Sequence, residues 1–133
     1  MSESQTVKLC LLGFGNVARE FCILAEDKRE ALAADGLRVL ISAAGTRHAS
    51  FLEPAGVTPG RLLELASDGL PGAPLPAAGL MERSGADVLV EATVMEDDGA
   101  PVASGHIETA FRLGLDVITV NKGPVAWQFA RLQ

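Results

Sequence analysis

The chain has 133 residues, 48% hydrophobic and 21% charged, a length and composition that suffice for one globular domain with its own core and argue against intrinsic disorder. Its net charge of −6 and pI near 4.8 argue against a nucleic-acid partner, which needs a clustered basic face. The polar start MSESQTVK lacks a signal peptide's apolar segment and no apolar run approaches the roughly 20 residues of a membrane helix, so we expect a cytoplasmic protein without a membrane partner.

The first predicted elements are a strand, a tight turn, a long helix and a second strand. The apolar run 7-VKLCLL-12 predicts a strand that leads directly into the turn 13-GFGNVA-18. Apolar residues then recur at three- and four-residue spacing as far as Leu32, which predicts one long helix ending at Asp35-Gly36. The nearly continuous apolar run Leu37–Ala44 predicts a second strand, buried on both faces.

The pattern is weakest between Gly45 and Gly79. One short helix is expected there, with Thr58 as its cap and Pro59 in its first turn. The following stretch 70-LPGAPLPAAGL-80 is rich in proline and glycine, and we expect a loop with a short edge strand.

Regular alternation returns in the last third of the chain. A strand is predicted at 86–93, a helix at 101–113, a strand at 115–120 and a final helix that begins near Pro124. Strands that alternate with helices predict an α/β fold, a Rossmann-type doubly wound and mostly parallel sheet with helices on both faces.

The turn between the first strand and helix matches the G-x-G-x-x-G/A dinucleotide fingerprint. In such a turn Gly13 permits the tight bend, Gly15 lets a pyrophosphate approach the backbone, and Ala18 lets the helix pack closely on the strand. The amides at the helix start then face the anion. The residues of this turn are our first predicted cofactor contacts: Gly13, Phe14, Gly15, Asn16, Val17 and Ala18.

The end of the second strand bears on the choice of cofactor. An Asp or Glu there would bind the ribose 2′-hydroxyl of NAD, but the sequence 42-SAAGTRH-48 has no acid. It offers Ser42, Thr46 and Arg47 as cofactor contacts, and an arginine suits the 2′-phosphate of NADP. We therefore favour NADP over NAD. The alternative is that Arg47, like His48, is a solvated loop residue.

Polar residues also follow the later strands, at the edge of the sheet where ligands bind in open α/β proteins. Glu91, Ala92 and Thr93 end one strand, and Asn121 and Lys122 end the next, so we expect all five near the cofactor. Alternatively, Thr93 caps a turn and Glu91 forms a buried ion pair.

Histidine and cysteine side chains are assigned no chemistry. His106, a lone histidine on a predicted helix, is expected to be structural or exposed rather than catalytic. Cys10 and Cys22 form no CxxC pair and have no neighbouring histidine cluster, so we expect buried, reduced thiols and no metal site.

Four segments together resemble the amino-terminal, nucleotide-binding domain of homoserine dehydrogenase. They are GFGNVA, ADVLVEAT, PVASGHIETAFRLG and, most specifically, DVITVNKGPVA. The resemblance covers nearly the whole chain, loosely between Gly45 and Gly85 and closely from Ala86 to Ala126. Two departures are Ala18, where glycine is commoner, and Val120, where the family often has a small residue.

The resemblance implies reversible, NAD(P)-dependent oxidation of L-homoserine to L-aspartate 4-semialdehyde, in the biosynthesis of threonine, methionine and isoleucine. It implies that the glycine turn lines the pyrophosphate and that Glu91 and Thr93 approach the nicotinamide. Lys122 would be the catalytic residue, at the junction of nicotinamide and amino-acid substrate, where it could donate a hydrogen bond, polarise the carbonyl or help relay the alcohol proton.

The resemblance also sets expectations about domains. Residues 1–133 would be the NAD(P)-binding domain, slightly incomplete at its carboxyl end, without the substrate-binding and dimerisation domain of a homodimeric enzyme. We therefore expect little or no turnover from this chain alone. The alternatives are a stand-alone, non-catalytic NAD(P)-binding module and the cofactor domain of another amino-acid dehydrogenase, such as aspartate dehydrogenase.

Overall fold

The computed structural model describes residues 4–93 and 101–119, and for residues 101–104 the backbone alone. Five strands and five helices lie within these residues. In chain order they are β1 (Gln5–Leu12), α1 (Asn16–Asp27), α2 (Arg29–Ala34), β2 (Leu37–Gly45), β3 (Ser50–Val57), α3 (Pro59–Leu65), α4 (Ala77–Ser84), β4 (Val88–Glu91), α5 (Pro101–Arg112) and β5 (Asp116–Thr119).

The strands form one mostly parallel sheet in the order β3-β2-β1-β4-β5. β1 pairs in parallel with β2 on one side and with β4 on the other, and β4 pairs in parallel with β5. β3 pairs antiparallel with β2 at the edge. The chain thus builds the sheet outward from β1 to one side and then resumes on the other, which confirms the predicted Rossmann-type topology.

Alternating side chains of the central strands enter two separate cores, one on each face of the sheet. Leu9 and Leu11 of β1 belong to the core that also contains Cys22 of α1 and Leu62 of α3. Cys10 and Leu12 belong to the other core, which contains residues of α4 and α5. Successive strand residues point to opposite faces, so this division confirms helices on both sides.

The predicted long first helix is wrong in one respect, because it is two helices separated at Lys28. This residue has φ −92° and ψ 3°, outside the helical range. The carboxylate of Glu26 next to the break binds Arg29 Nε at 2.9 Å and accepts from Gly60 N at 2.8 Å. These contacts tie the break to the start of α3.

The middle of the chain differs most from the sequence prediction. The predicted short helix with its Thr58 cap is confirmed, since Arg61 N donates to Thr58 Oγ1 at 3.1 Å. The edge strand, however, lies at Ser50–Val57 rather than in the proline-rich stretch, where residue 72 forms only an isolated bridge. That stretch instead ends in α4, which begins directly after Pro76 and buries Leu80 and Met81.

The later elements follow the prediction, with β4 shorter than expected. The predicted helix after Pro124 lies outside the described residues. Cys10 and Cys22 are both buried and free, as predicted. Within the described part of the chain, none of the helices has the length and apolar character needed to cross a membrane.

Candidate functional site

A cavity of about 950 Å³ lies where the carboxyl ends of β1, β2 and β4 meet. The glycine turn after β1 lines its centre. Thr46, Arg47 and His48 line it beyond β2, and Ala92 and Thr93 line it beyond β4. The start of α4 and one residue of α5, His106, complete the wall. The strand order places the β2 and β4 contributions on opposite sides of β1, so they lie at opposite ends of the cavity.

Gly13 joins the three strand ends that surround the cavity. Its amide donates to the Gly45 carbonyl at 2.8 Å, which links the ends of β1 and β2. Its φ is +92°, in the region that favours glycine, and a Cβ on it would approach the Ala92 carbonyl oxygen to 2.4 Å. No larger residue fits between the ends of β1 and β4 at this point.

Gly15 is different, because nothing in the described protein explains its lack of a side chain. A Cβ on Gly15 would meet no atom within 4 Å, and its φ of −95° is open to other residues. Gly15 is the N-cap of α1, which has neither a side-chain cap nor an acidic residue in its first turn. The first amides of a helix have no intrahelical acceptor, so this helix end suits a pyrophosphate.

The other residues of the turn have separate positions. Asn16 and Val17 are exposed at the start of α1, and neither lines the cavity. Ala18, also predicted as a cofactor contact, does not line the cavity; it is buried against the sheet, in the packing role predicted for it. Phe14 lines the cavity and lies beneath the Arg19 guanidinium, 4.7 Å from the ring centre.

A tight turn after β2 presents Arg47 and His48 to the cavity. Thr46 Oγ1 accepts from the amides of His48 and Ala49, both at 3.1 Å, and Thr46 N donates to the Ala49 carbonyl at 2.9 Å. Arg47 is exposed, and its guanidinium forms no ion pair or hydrogen bond with any described residue. The threonine thus shapes the turn, and the arginine remains available to a ligand.

Ser42 does not reach this cavity. It is fully buried within β2, and its hydroxyl lies 3.5 Å from the Leu9 carbonyl oxygen, beside the irregular register between β1 and β2. Its predicted role as a cofactor contact is therefore corrected to a role inside the sheet.

Glu91 does not line the cavity either. Its side chain is fully buried, and its Oε1 accepts from the amide of Thr93 at 2.8 Å and from the Thr93 hydroxyl. Its Oε2 lies 2.6 Å from His106 Nδ1. The alternative reading, a buried pair with a neighbour, is the one the structure supports, whereas Ala92 and Thr93 do line the cavity.

His106, like His48, lines the cavity although sequence reasoning assigned it no site role. Its side chain is 18% exposed and lines the cavity, with Nδ1 on the Glu91 carboxylate. The pairing joins residues 15 positions apart, across a segment that is only partly described. The one available signal was a histidine on the helix that follows a strand ending in glutamate.

Two further predictions are not addressed by the described residues. Asn121 and Lys122 lie outside them, so the catalytic assignment of Lys122 stays a prediction.

Across the parts of the chain that the structure describes, no cluster of three or more His, Cys, Asp or Glu side chains could hold a metal ion.

Comparison with solved structures places this architecture among known folds. Homoserine dehydrogenase from Thermoplasma acidophilum superposes with a TM-score of 0.80 at 18% identity, over 96% of this chain and 39% of that one. A hyperthermophilic archaeal homoserine dehydrogenase in complex with NADPH gives 0.76 at 19% identity, over 96% and 40%. The enzyme from Thiobacillus denitrificans gives 0.68 at 21% identity, over 99% and 27%.

The chain shares its fold with a part of homoserine dehydrogenases. It spans two fifths or less of the length of these proteins. No protein-family model matches the sequence, and no curated protein is a match to it. The resemblance seen in the sequence is thereby confirmed in the fold.

Proposed function

We propose that this chain is the NAD(P)-binding domain of a cytoplasmic homoserine dehydrogenase. The observation that carries the proposal is the cavity at the carboxyl ends of β1, β2 and β4, with an uncapped helix start beside Gly15 at its centre. That arrangement suits a dinucleotide. The fold of homoserine dehydrogenases, one of them solved with NADPH, and the segment 121-NKGP-124 favour this family over other users of the same fold.

The proposed reaction is the reversible oxidation of L-homoserine to L-aspartate 4-semialdehyde, with the nicotinamide ring as hydride acceptor when the cofactor is bound. This chain would hold the pyrophosphate on the amides of α1 and orient the ring at the β4 end of the cavity. Lys122 would polarise the substrate oxygen or relay its proton. The amino-acid pocket and the contacts of a homodimer would come from a further domain of the whole protein.

NADP is the proposed cofactor in preference to NAD. The support is the exposed Arg47 on a turn fixed by Thr46, with no acidic residue between Ser42 and His48 that would repel a 2′-phosphate. A guanidinium can bind a phosphate through two parallel hydrogen bonds. NAD would still bind through the glycine turn, with lower affinity.

Fluorescence titration tests the cofactor part of the proposal. The reduced nicotinamide emits, so binding of NADPH and NADH to the 133-residue chain can be followed directly. We expect saturable binding, with NADPH tighter by about 10- to 100-fold because of the charge-assisted contact to Arg47. Arg47→Ala should remove this preference and leave NADH binding unchanged. Absence of binding in folded protein would contradict the assignment.

The part of the proposal that concerns catalysis is tested on the whole protein. The chain alone should give little turnover, whereas the full-length enzyme should reduce NADP+ with L-homoserine. Lys122→Ala in that enzyme should lower kcat by about 100-fold or more, in the range of a lost proton-transfer group. An enzyme that oxidises L-aspartate instead would identify the related aspartate dehydrogenase activity, and a protein that binds NADPH without turnover would be a stand-alone binding module.

A further inference from the structure

His106 and Glu91 form a side-chain pair at the cavity wall, and the roles proposed above for the glycine turn and Arg47 do not include this pair. Glu91 is fully buried at the end of β4, and His106 reaches it from α5 at 2.6 Å. Burial of a carboxylate is costly unless several donors satisfy it, and here Thr93 and His106 supply them. The pair therefore fixes the imidazole firmly at the wall of the cavity.

The contact with Glu91 decides which ring nitrogen faces the cavity. A carboxylate accepts hydrogen bonds, so the neutral imidazole must carry its proton on Nδ1 to bind Glu91. Nε2 is then a hydrogen-bond acceptor. Nε2 has no hydrogen-bond partner among the described residues, and the side chain that carries it lines the cavity. Such an acceptor suits a ligand that brings a hydrogen-bond donor.

The strand order indicates which part of a dinucleotide lies there. The β2 end, with Arg47, belongs to the adenosine side, and the β4 end lies across β1 from it. His106 therefore stands at the nicotinamide side. The nicotinamide nucleotide offers two kinds of donor, the ribose hydroxyls and the carboxamide N–H.

We infer that His106 accepts a hydrogen bond through Nε2 from the nicotinamide nucleotide of the bound cofactor, and that Glu91 is the positioning residue that orients the imidazole. This inference deepens the proposed function and rests on it. The pair sets where the nicotinamide ring lies relative to the substrate, while Arg47 sets which dinucleotide binds.

His106→Asn is the variant that isolates this contact. An asparagine amide can donate to Glu91 from nearly the position of Nδ1, but it has no group at the position of Nε2. Arg112→Gln, an exposed position on the same helix, is the matched control. Circular dichroism and thermal unfolding of each variant establish that it is folded.

Two ligands separate the halves of the cavity: NADPH, and adenosine 2′,5′-bisphosphate, which lacks the nicotinamide nucleotide. We expect His106→Asn to weaken NADPH binding roughly 3- to 10-fold, the effect of one hydrogen bond, and to leave the bisphosphate unchanged. Arg47→Ala should weaken both ligands. Equal NADPH affinity in wild type and His106→Asn would overturn the inference while leaving the proposed function intact. If wild type binds neither ligand, both fall.

An analogue of reduced NADP in which an acetyl group replaces the carboxamide identifies the donor. Loss of the His106→Asn effect with this analogue assigns the carboxamide, and persistence of the effect assigns a ribose hydroxyl. Both results keep the contact on the nicotinamide nucleotide.

Nitrogen-15 NMR of the imidazole tests the positioning role of Glu91 in the wild-type chain. The chain has only two histidines, so a His48→Asn sample assigns the signals. We expect neutral His106 to be protonated on Nδ1. Packing alone would not determine which ring nitrogen carries the proton, whereas a hydrogen bond to Glu91 would. A proton found on Nε2 would overturn the role of Glu91.

Discussion

The backbone of Gly13 lies so close to Ala92 that a Cβ at position 13 would come within 2.4 Å of the Ala92 carbonyl oxygen. Gly13 begins the turn after β1, and Ala92 directly follows β4, so this contact closes the sheet at the point where its strand order reverses. The cavity opens beside that contact. We therefore expect Gly13 to affect mainly stability and Gly15 to affect mainly ligand binding.

Gly13→Ala should destabilise the fold. The substitution places a Cβ against backbone atoms and forces a non-glycine residue to φ +92°. Conformational strain of this kind costs about 1–3 kcal/mol, and the steric conflict adds to it. We expect the free energy of unfolding, measured by urea denaturation, to fall by about 2–4 kcal/mol. An unchanged urea midpoint would show that β1 and β4 can separate at this point without cost.

Gly15→Ala should leave stability nearly unchanged and weaken NADPH binding, so it serves as the matched control for Gly13→Ala. Its Cβ would meet no protein atom within 4 Å, so the free energy of unfolding should change by less than about 1 kcal/mol. The methyl group would occupy the space through which a pyrophosphate approaches the amides of α1, so NADPH should bind at least about tenfold more weakly. Calorimetric titration measures this, and full affinity in the alanine variant would place the pyrophosphate elsewhere.

The cysteines predict how stability depends on alkaline pH. Burial, with a smaller contribution from Glu91, raises the pKa of the Cys10 thiol from 9.0 to about 12, and burial raises the pKa of Cys22 to about 11. Between about pH 9 and about pH 11 these thiols ionise in the unfolded chain but remain largely protonated in the folded one. The free energy of unfolding should therefore be unaffected by them below pH 9 and should fall as the pH rises beyond it.

Urea denaturation of the wild type and of a cysteine variant across that pH range checks this, because the lysines, which also titrate there, are the same in both chains. Cys10→Ala should show a shallower alkaline fall than the wild type, whatever its stability at neutral pH. A thiol reagent should modify neither cysteine in the folded protein and both after unfolding. Rapid modification under native conditions would contradict their burial.

The first part of the fold could be predicted because local signals and tertiary contacts agree there. The run Leu9–Leu12 is apolar on both faces, and the turn after it has glycine where the backbone needs it, at Gly13. The break at Lys28 escaped prediction because the apolar spacing continues through it. Beside the break, Glu26 accepts a hydrogen bond from the amide of Gly60, a partner remote in sequence that no local pattern indicates.

The middle of the chain could not be predicted because tertiary contacts override its local signals. Pro54 argues against a strand, yet an edge strand tolerates proline where no ladder hydrogen bond is needed. α4 has a proline as its N-cap and forms because Leu80 and Met81 are buried against the sheet. The pair of Glu91 and His106 likewise depends on how α5 packs against β4, which no local pattern reveals.

The hydroxyl of Thr46 should matter for cofactor preference although it is not itself the phosphate ligand. It accepts hydrogen bonds from two amides of the turn that presents Arg47. Without the hydroxyl the turn would adopt several conformations, and the Arg47 guanidinium would no longer be held in one position. Thr46→Val removes the hydroxyl at nearly constant volume, and Thr46→Ser keeps it. We expect the valine variant to bind NADPH roughly 3- to 10-fold more weakly, with NADH binding unchanged, and the serine variant to match wild type. If valine and serine behave alike in fluorescence titrations, then Arg47 does not depend on this turn for its position.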